Sequence, residues 1–452
     1  MAVHKVTKGL DIPISGVPEQ VIADAPPVSR VAVLARDFNG LKARVLVEPG
    51  DQVRLGQALL EHREHAAIRL VSPGSGRVEA VHRGDKRALQ SVVIALDADS
   101  RSAVDFAAYA PNAGEGRASA KALLLESGLW TALRTRPFSR IPSPDDTPRS
   151  IFVTALDTQP LALDVDVALR GREAEFARGL AVLKQLTDGP VFLCRRPGSS
   201  LGGAPGSVPG VRLEEFTGKH PAGTVGYHIH VLDPVHREKT VWHIGAQDVA
   251  RIGHLFDTGQ LDPTLVIAVG GPQVAKPRVL RTRLGASTVE LTSGQLRDGH
   301  SRVVSGSVLT GDRADDAVHG FLGRFHQQIS VLAEGGAREF LGWMAPGAGS
   351  FSSFPAFLSS VLPRKQFALD TGMHGSRRAM VPIGAYERVM PMDILPTHLL
   401  RALTVGDLEW AEELGVLELD EEDLALCAFV CPGKYEHGAA LRRALTAIAA
   451  EH

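Results

Sequence analysis

From Val31 to Asp97 short apolar runs alternate with polar positions and stop at glycine turns, a period-two pattern that predicts β-strands. Val47-Glu48-Pro49-Gly50-Asp51 returns as Val81-His82-Arg83-Gly84-Asp85, so this segment reads as the two similar halves of a β-sandwich. At Ala118 the period changes: ASAKALLLESGLWTALRTR spaces its apolar residues for a helix, and a proline-punctuated loop then leads to a strand over Ile151–Ala155. An amphipathic helix over Glu173–Gln185, a strand at residues 191–194 and further strands to Ile244 predict a layered α/β region. Beyond Asp248 the pattern predicts a helix ending near Gly259, a strand at residues 265–269, and short Thr/Val/Gly-rich strands through Leu309. Aromatic and proline loops follow (MAPGAGSFSSFPAF), and long helices are expected from Pro396 onward.

Composition narrows the class. The 452 residues are 44% hydrophobic and 22% charged, enough apolar material for several cores in a globular protein. No apolar run approaches the ~20 residues of a spanning helix. With 49 basic against 51 acidic residues and no long block of one sign, no nucleic-acid footprint is present. Three cysteines cannot form a disulfide framework, which fits a reducing compartment, with the cytoplasm as default. The N-terminus lacks the pattern of a secretion signal.

Several motifs suggest chemistry. GDQVRLGQALLEH and LVSPGSGRVEAVHRGDK resemble the halves of a biotinyl/lipoyl carrier domain, yet residues 55–85 contain no lysine, and His65 stands where the modified lysine would be. A histidine cannot form the carrier amide, so a scaffold or docking role is expected of that domain. His220, His228, His230, His236, His243 and His254 could supply a metal site, since H-x-H on a strand places both rings on one face; no H-E-x-x-H motif accompanies them, and polar strand faces are the competing reading. The glycine-rich RRPGSSLGGAPGSVPG lacks both phosphate-loop fingerprints and reads as a surface loop. No nucleophile elbow is present, and Cys194 lacks a Cys-His signature. In RTRPFSRIPSPDD, Arg134, Arg136 and Arg140 flank Phe138, a set suited to a carbonyl-bearing ring; the alternative is a helix end whose arginines offset the macrodipole while Phe138 fills a core gap. LCAFVCPGKYEHG places Cys427 and Cys431 four apart, but a four-iron cluster takes four thiolates, and the spacing matches only the Cys-Pro element of a ferredoxin run.

KGLDIPISGVPEQVI, RTRPFSRIP with SIFVTALDTQPLA, HPAGTVGYHIHVLDPV and LCAFVCPGKYEHG together resemble one family, the A subunit of the sodium-translocating NADH:ubiquinone reductase, in the same order along the chain. That family is related to the NADH-binding flavoprotein subunit of complex I and to the C subunit of the Rnf complex. The resemblance implies an α/β multidomain chain: an N-terminal extension (1–30), a biotinyl/lipoyl-like β-sandwich without carrier lysine (31–100), a Rossmann-like domain (101–255), a β-grasp (SLBB-like) module (256–330) and a loop-rich then helical C-terminal domain (331–452). It implies a peripheral subunit on the cytoplasmic face of the bacterial inner membrane, in a six-subunit complex that couples NADH-to-ubiquinone electron transfer to sodium export. It further implies ubiquinone as substrate, no covalently bound cofactor in this chain, and NADH, FAD, FMN and iron–sulfur centres in partner subunits. Joined to ring-recognition logic, it points to Phe38, Leu41, Arg134, Arg136 and Phe138 as quinone contacts, with no catalytic or metal residue assigned. A non-catalytic scaffold on a lipoyl-like fold and a metal enzyme using His228 and His230 are the competing functions.

Overall fold

The computed structural model describes residues 2–97, 102–106, 116–204, 206–335, 344, 346–361 and 365–451. The expected boundary between the first two domains, at 100–101, lies outside them.

The β-rich segment folds as expected. Strands Arg30–Leu34, Leu89–Leu96, Gly76–Arg83 and Gln52–Val53 form one sheet, and Ala43–Val45, Ala58–His62 and Arg69–Val71 form a second. The alternate residues Val31, Val78, Val92 and Ile94 point inward with Leu59 and Leu60 to make the core.

The α/β region is built on a six-stranded sheet. Ile151–Ala155 pairs in parallel with Val191–Arg195 on one side and Val241–Gly245 on the other, and Val211–Gly218 continues the parallel order. Its central strands are apolar on both faces because both are covered. Ile151 and Val153 pack with Leu180, Val249 and Ile252 of helices Glu173–Gln185 and Ala246–Thr258. Phe152 on the opposite face packs with Val225 and Ile229 of helix Val225–Leu232. The two long helices approach closely because glycines face backbone: a Cβ on Gly179 would overlap the Val249 carbonyl, and one on Gly253 the Glu175 carbonyl.

A second six-stranded sheet has Thr264–Gly270 between Gln328–Ala333, parallel to it, and Arg278–Arg283, antiparallel. The first thirty residues, read from sequence as an extension, enter both large sheets. Val3–Val6 is the parallel edge partner of Val211–Gly218, and Glu19–Asp24 pairs with Arg278–Arg283. The chain start therefore ties two domains together.

Three expectations need correction. The helix begun at Ala118 ends at Glu126, because Gly128 turns the backbone left-handed (φ 77°); residues 134–136 then form an edge strand antiparallel to Val241–Gly245. His228 and His230 lie on a helix, Val225–Leu232, whose apolar spacing at Val225, Ile229 and Leu232 is helical. The C-terminal helices are short: Pro396–Val405, Leu408–Glu413, Ala425–Val430 and His437–Ile448 span 10, 6, 6 and 12 residues. They close around a core of their own that includes Leu399, Leu400 and Leu441.

Candidate functional site

The strand Arg30–Leu34 ends in a single turn, Ala35–Asp37, that presents Phe38 and then Leu41, whose N–H donates to the Phe38 carbonyl (3.2 Å). About a hundred residues later, strand Arg134–Arg136 leads into the tight bend that carries Phe138 and Ser139, both at positive φ (76° and 53°). The two segments meet. The Asn39 side-chain amide donates to the Ser139 carbonyl (3.3 Å), and Gly40, also at positive φ, lies so close to Arg140 that a Cβ there would stand 3.1 Å from its Nε. The residues singled out at Phe38, Leu41, Arg134, Arg136 and Phe138 thus occupy two adjoining segments, Phe38 and Leu41 after one strand and Arg134, Arg136 and Phe138 on another strand and the bend that follows it.

They split into two groups with different surroundings. Phe38 is buried and contacts Phe325 edge-on (5.8 Å between ring centres, 69° between planes), and the Arg134 guanidinium sits over the Phe325 ring at 4.3 Å. Leu41 packs on the same core as Phe38. The Arg134 guanidinium is held below its ordinary pKa by burial, which the nearby Glu422 and Asp420 partly offset. Phe138 packs against the C-terminal domain core, and its carbonyl accepts from Arg442 Nη1 (2.8 Å).

Arg136 reaches into the C-terminal domain. Its side chain is 0% exposed and donates to Asp423 (2.9 Å), Glu422 (3.1 Å) and the Glu418 carbonyl (3.1 Å), with Asp420 at 3.7 Å. These carboxylates come from one run, Asp420-Glu421-Glu422-Asp423, folded as a capping box in which Asp420 and Asp423 hold each other's backbone N–H. Burial acts against the Arg136 charge, but the surrounding carboxylates outweigh it and raise its pKa. Burial pushes Glu421 and Glu422 up to about 7, whereas Asp420, beside Arg136 and Arg442, is held well below the carboxylate range despite its burial. Neither sequence-level reading of these arginines described this: Arg136 is an inter-domain tie on a strand, not a helix-end residue.

An apolar cleft opens beside Phe38, where three domains meet. Val33, Leu34, Phe38, Leu70 and Val71 line it from the β-sandwich, Leu129 and Thr131 from the α/β region, and Leu284, Leu322 and Arg324 from the second mixed sheet. Its volume is about 80 Å³. A cavity that holds benzene measures ~150 Å³, so a quinone ring enters only if lining side chains or the domains shift apart. Asp37 also lines the cleft and accepts from the Arg324 backbone N–H (2.7 Å); burial pushes its carboxyl up to about 7. The Arg324 guanidinium instead grips Asp248 through two bonds (3.0 and 2.9 Å), and Asp248 also receives Arg251 (2.7 Å). Sequence reasoning missed Asp37, Arg324 and Phe325. The only signal was a carboxylate set between an apolar strand and Phe38.

The other candidates lie apart. His220 meets Thr158 (3.1 Å), His228 the Ala222 carbonyl (2.9 Å), His230 Glu418 (2.8 Å) and His254 Glu175 (2.9 Å), each with its own partner. His243 pairs across the sheet with Arg134, and His236 lies in a separate turn. Among the described residues no three His, Cys, Asp or Glu side chains are grouped to hold a metal. Cys427 and Cys431 are buried thiols, and Cys431 Sγ lies 3.0 Å from the Tyr386 hydroxyl. Cys194 is buried in strand Val191–Arg195. His65 sits in the hairpin between Ala58–His62 and Arg69–Val71.

A barrel-sandwich, a parallel α/β layer and a second mixed sheet, joined around one apolar cleft and closed by a helical domain, define a multidomain α/β protein. Family models match in that order: the NqrA N-terminal barrel-sandwich hybrid domain over residues 4–97, the NqrA second alpha/beta domain over 116–261, and the NQRA C-terminal domain, an SLBB model, over 266–316. The chain is 52% identical to the A subunit of the Na(+)-translocating NADH-quinone reductase of Serratia proteamaculans over 449 residues, 99% of each chain. It is 51% identical to that of Yersinia pseudotuberculosis over 449 residues and 50% identical to that of Saccharophagus degradans over 447, again covering 99% of both chains. The chain belongs to the NqrA family, the A subunits of the Na+-translocating NADH-quinone reductase. Among the described residues no helix is long and apolar enough to cross a membrane.

Proposed function

We propose that this chain is the peripheral subunit that brings ubiquinone into the Na+-translocating NADH-quinone reductase, on the cytoplasmic face of the bacterial inner membrane. The reading includes a six-subunit complex. NADH, FAD, FMN and iron–sulfur centres belong to the partner subunits, and no cofactor is covalently bound in this one. The parallel sheet corresponds to a Rossmann-like domain, and the second mixed sheet to a β-grasp module.

Full-length identity to these relatives carries the assignment to the complex. The observation that supports a quinone role is the convergence of the Phe38 and Phe138 loops beside the three-domain cleft. Phe38 supplies apolar wall, backed by Leu41 on the same core, and Arg134 a cation close to it over Phe325, suited to the charge that develops on a ring carbonyl during reduction. Arg136 and Phe138 act from behind, holding the Arg134 strand and its loop against the C-terminal domain.

The test is a complex assembled without this chain. NADH oxidation by an artificial acceptor should persist while ubiquinone reduction stops. Ubiquinone reduction at the full rate would reject the reading and leave a scaffold role.

A further inference from the structure

A half-buried carboxyl on the wall of an apolar cleft is costly to ionise unless a charge or donor there pairs with it. Asp37 is such a group. Among the described residues its one hydrogen bond comes from the Arg324 backbone N–H. The charged groups that face it are Arg36, Arg324 and Asp312. Both cations are committed elsewhere: Arg324 to Asp248 through two bonds, and Arg36 to Asp312 at 3.6 Å. Asp37 therefore has no counter-ion of its own, and desolvation raises its pKa to about 7, so a large share of it stays protonated up to neutral pH. The single turn Ala35–Asp37 holds it directly before Phe38, so carboxyl and ring share one wall of the cleft.

We propose that Asp37 is a catalytic residue whose carboxyl hydrogen-bonds a carbonyl oxygen of a quinone ring seated in the cleft and passes its proton to that oxygen as the ring is reduced. This rests on the reading that the cleft receives the quinone. The two electrons come from NADH through the partner subunits. The Asp37 O–H bond breaks as the new O–H bond forms on the quinone oxygen; the proton for the opposite oxygen, and the one that reloads the carboxylate, come from solvent. A protonated carboxyl beside an apolar ring is suited to this because it donates a hydrogen bond without adding a negative charge where the ring gains one.

The test uses the assembled complex with a short-chain ubiquinone, first checking that a photoreactive ubiquinone labels cleft segments. In the native complex, the maximal rate of quinone reduction should decline above about pH 7 as Asp37 loses its proton. Asp37→Asn should lower that rate about tenfold or more, with KM for ubiquinone changed far less and the decline near neutral pH gone. Asp37→Glu, which keeps a carboxyl, should recover much of the rate and the decline. Absence of the decline in the native complex, or a native rate and pH profile in Asp37→Asn, overturns the role of Asp37. Labelling that avoids the cleft overturns the underlying reading instead.

Discussion

Arg136 shows how far a residue's type can be legible while its work is not. A cation beside Phe138 was visible in RTRPFSRIP, but the carboxylates that hold Arg136 lie some 285 positions away along the chain. Only the fold brings them together. Removing one partner from a buried ionic cluster leaves the others uncompensated, at a cost of about 3–5 kcal/mol. Arg136→Ala should therefore lose stability on that scale in urea unfolding, with the α/β and C-terminal domains the parts that separate. A loss below about 1 kcal/mol would mean that the acidic run finds other partners. Asp37 was illegible for a related reason: its neighbours in sequence, Arg36 and Phe38, give no hint that Arg324 would supply only a backbone N–H and turn its guanidinium to Asp248.

At the scale of elements, periodicity succeeded where one face of a long helix is buried. Glu173–Gln185 shows an uninterrupted amphipathic period, and Gly259 stops the helix Ala246–Thr258 in the left-handed conformation its sequence suggests. It failed where elements are short. Val225–Leu232 is eight residues long and its apolar positions admit either period, so the two histidines were placed on a strand. Arg134–Arg136 is a three-residue edge strand continuing a helical-looking segment, and only its pairing with Val241–Gly245 defines it. Sequence also could not show that Gly179 and Gly253 are required by helix contact rather than by a turn. Each allows one helix to rest on the other's carbonyls. Gly179→Ala and Gly253→Ala, normally favourable in a helix interior, should each destabilise the protein by about 1–3 kcal/mol through overpacking. Thermal unfolding of the two variants checks this; a rise in Tm would show that the helices separate freely.

Over the whole molecule, the succession of a β-sandwich, an α/β region and a β-rich module was legible because the hydrophobic period changes along the chain and the whole sequence resembles one family, but the way they lock together was not. Val3–Val6 and Glu19–Asp24 each join a sheet whose other strands lie more than a hundred residues away, and Arg136 fastens the α/β region to the terminal helices. This locking gives the cleft its position: its walls come from three domains, so its shape depends on their mutual placement rather than on any one sequence segment. Loop convergence, cleft and family membership support a single account in which quinone meets this chain at the junction of its first three domains. The most direct test is photo-crosslinking of the assembled complex with a ubiquinone carrying a photoreactive group on its ring, followed by peptide mapping. The account predicts cross-links within residues 32–38 and 128–134 of this chain, reduced by excess ubiquinone. Cross-links confined to other subunits, or to parts of this chain away from the cleft, would contradict it.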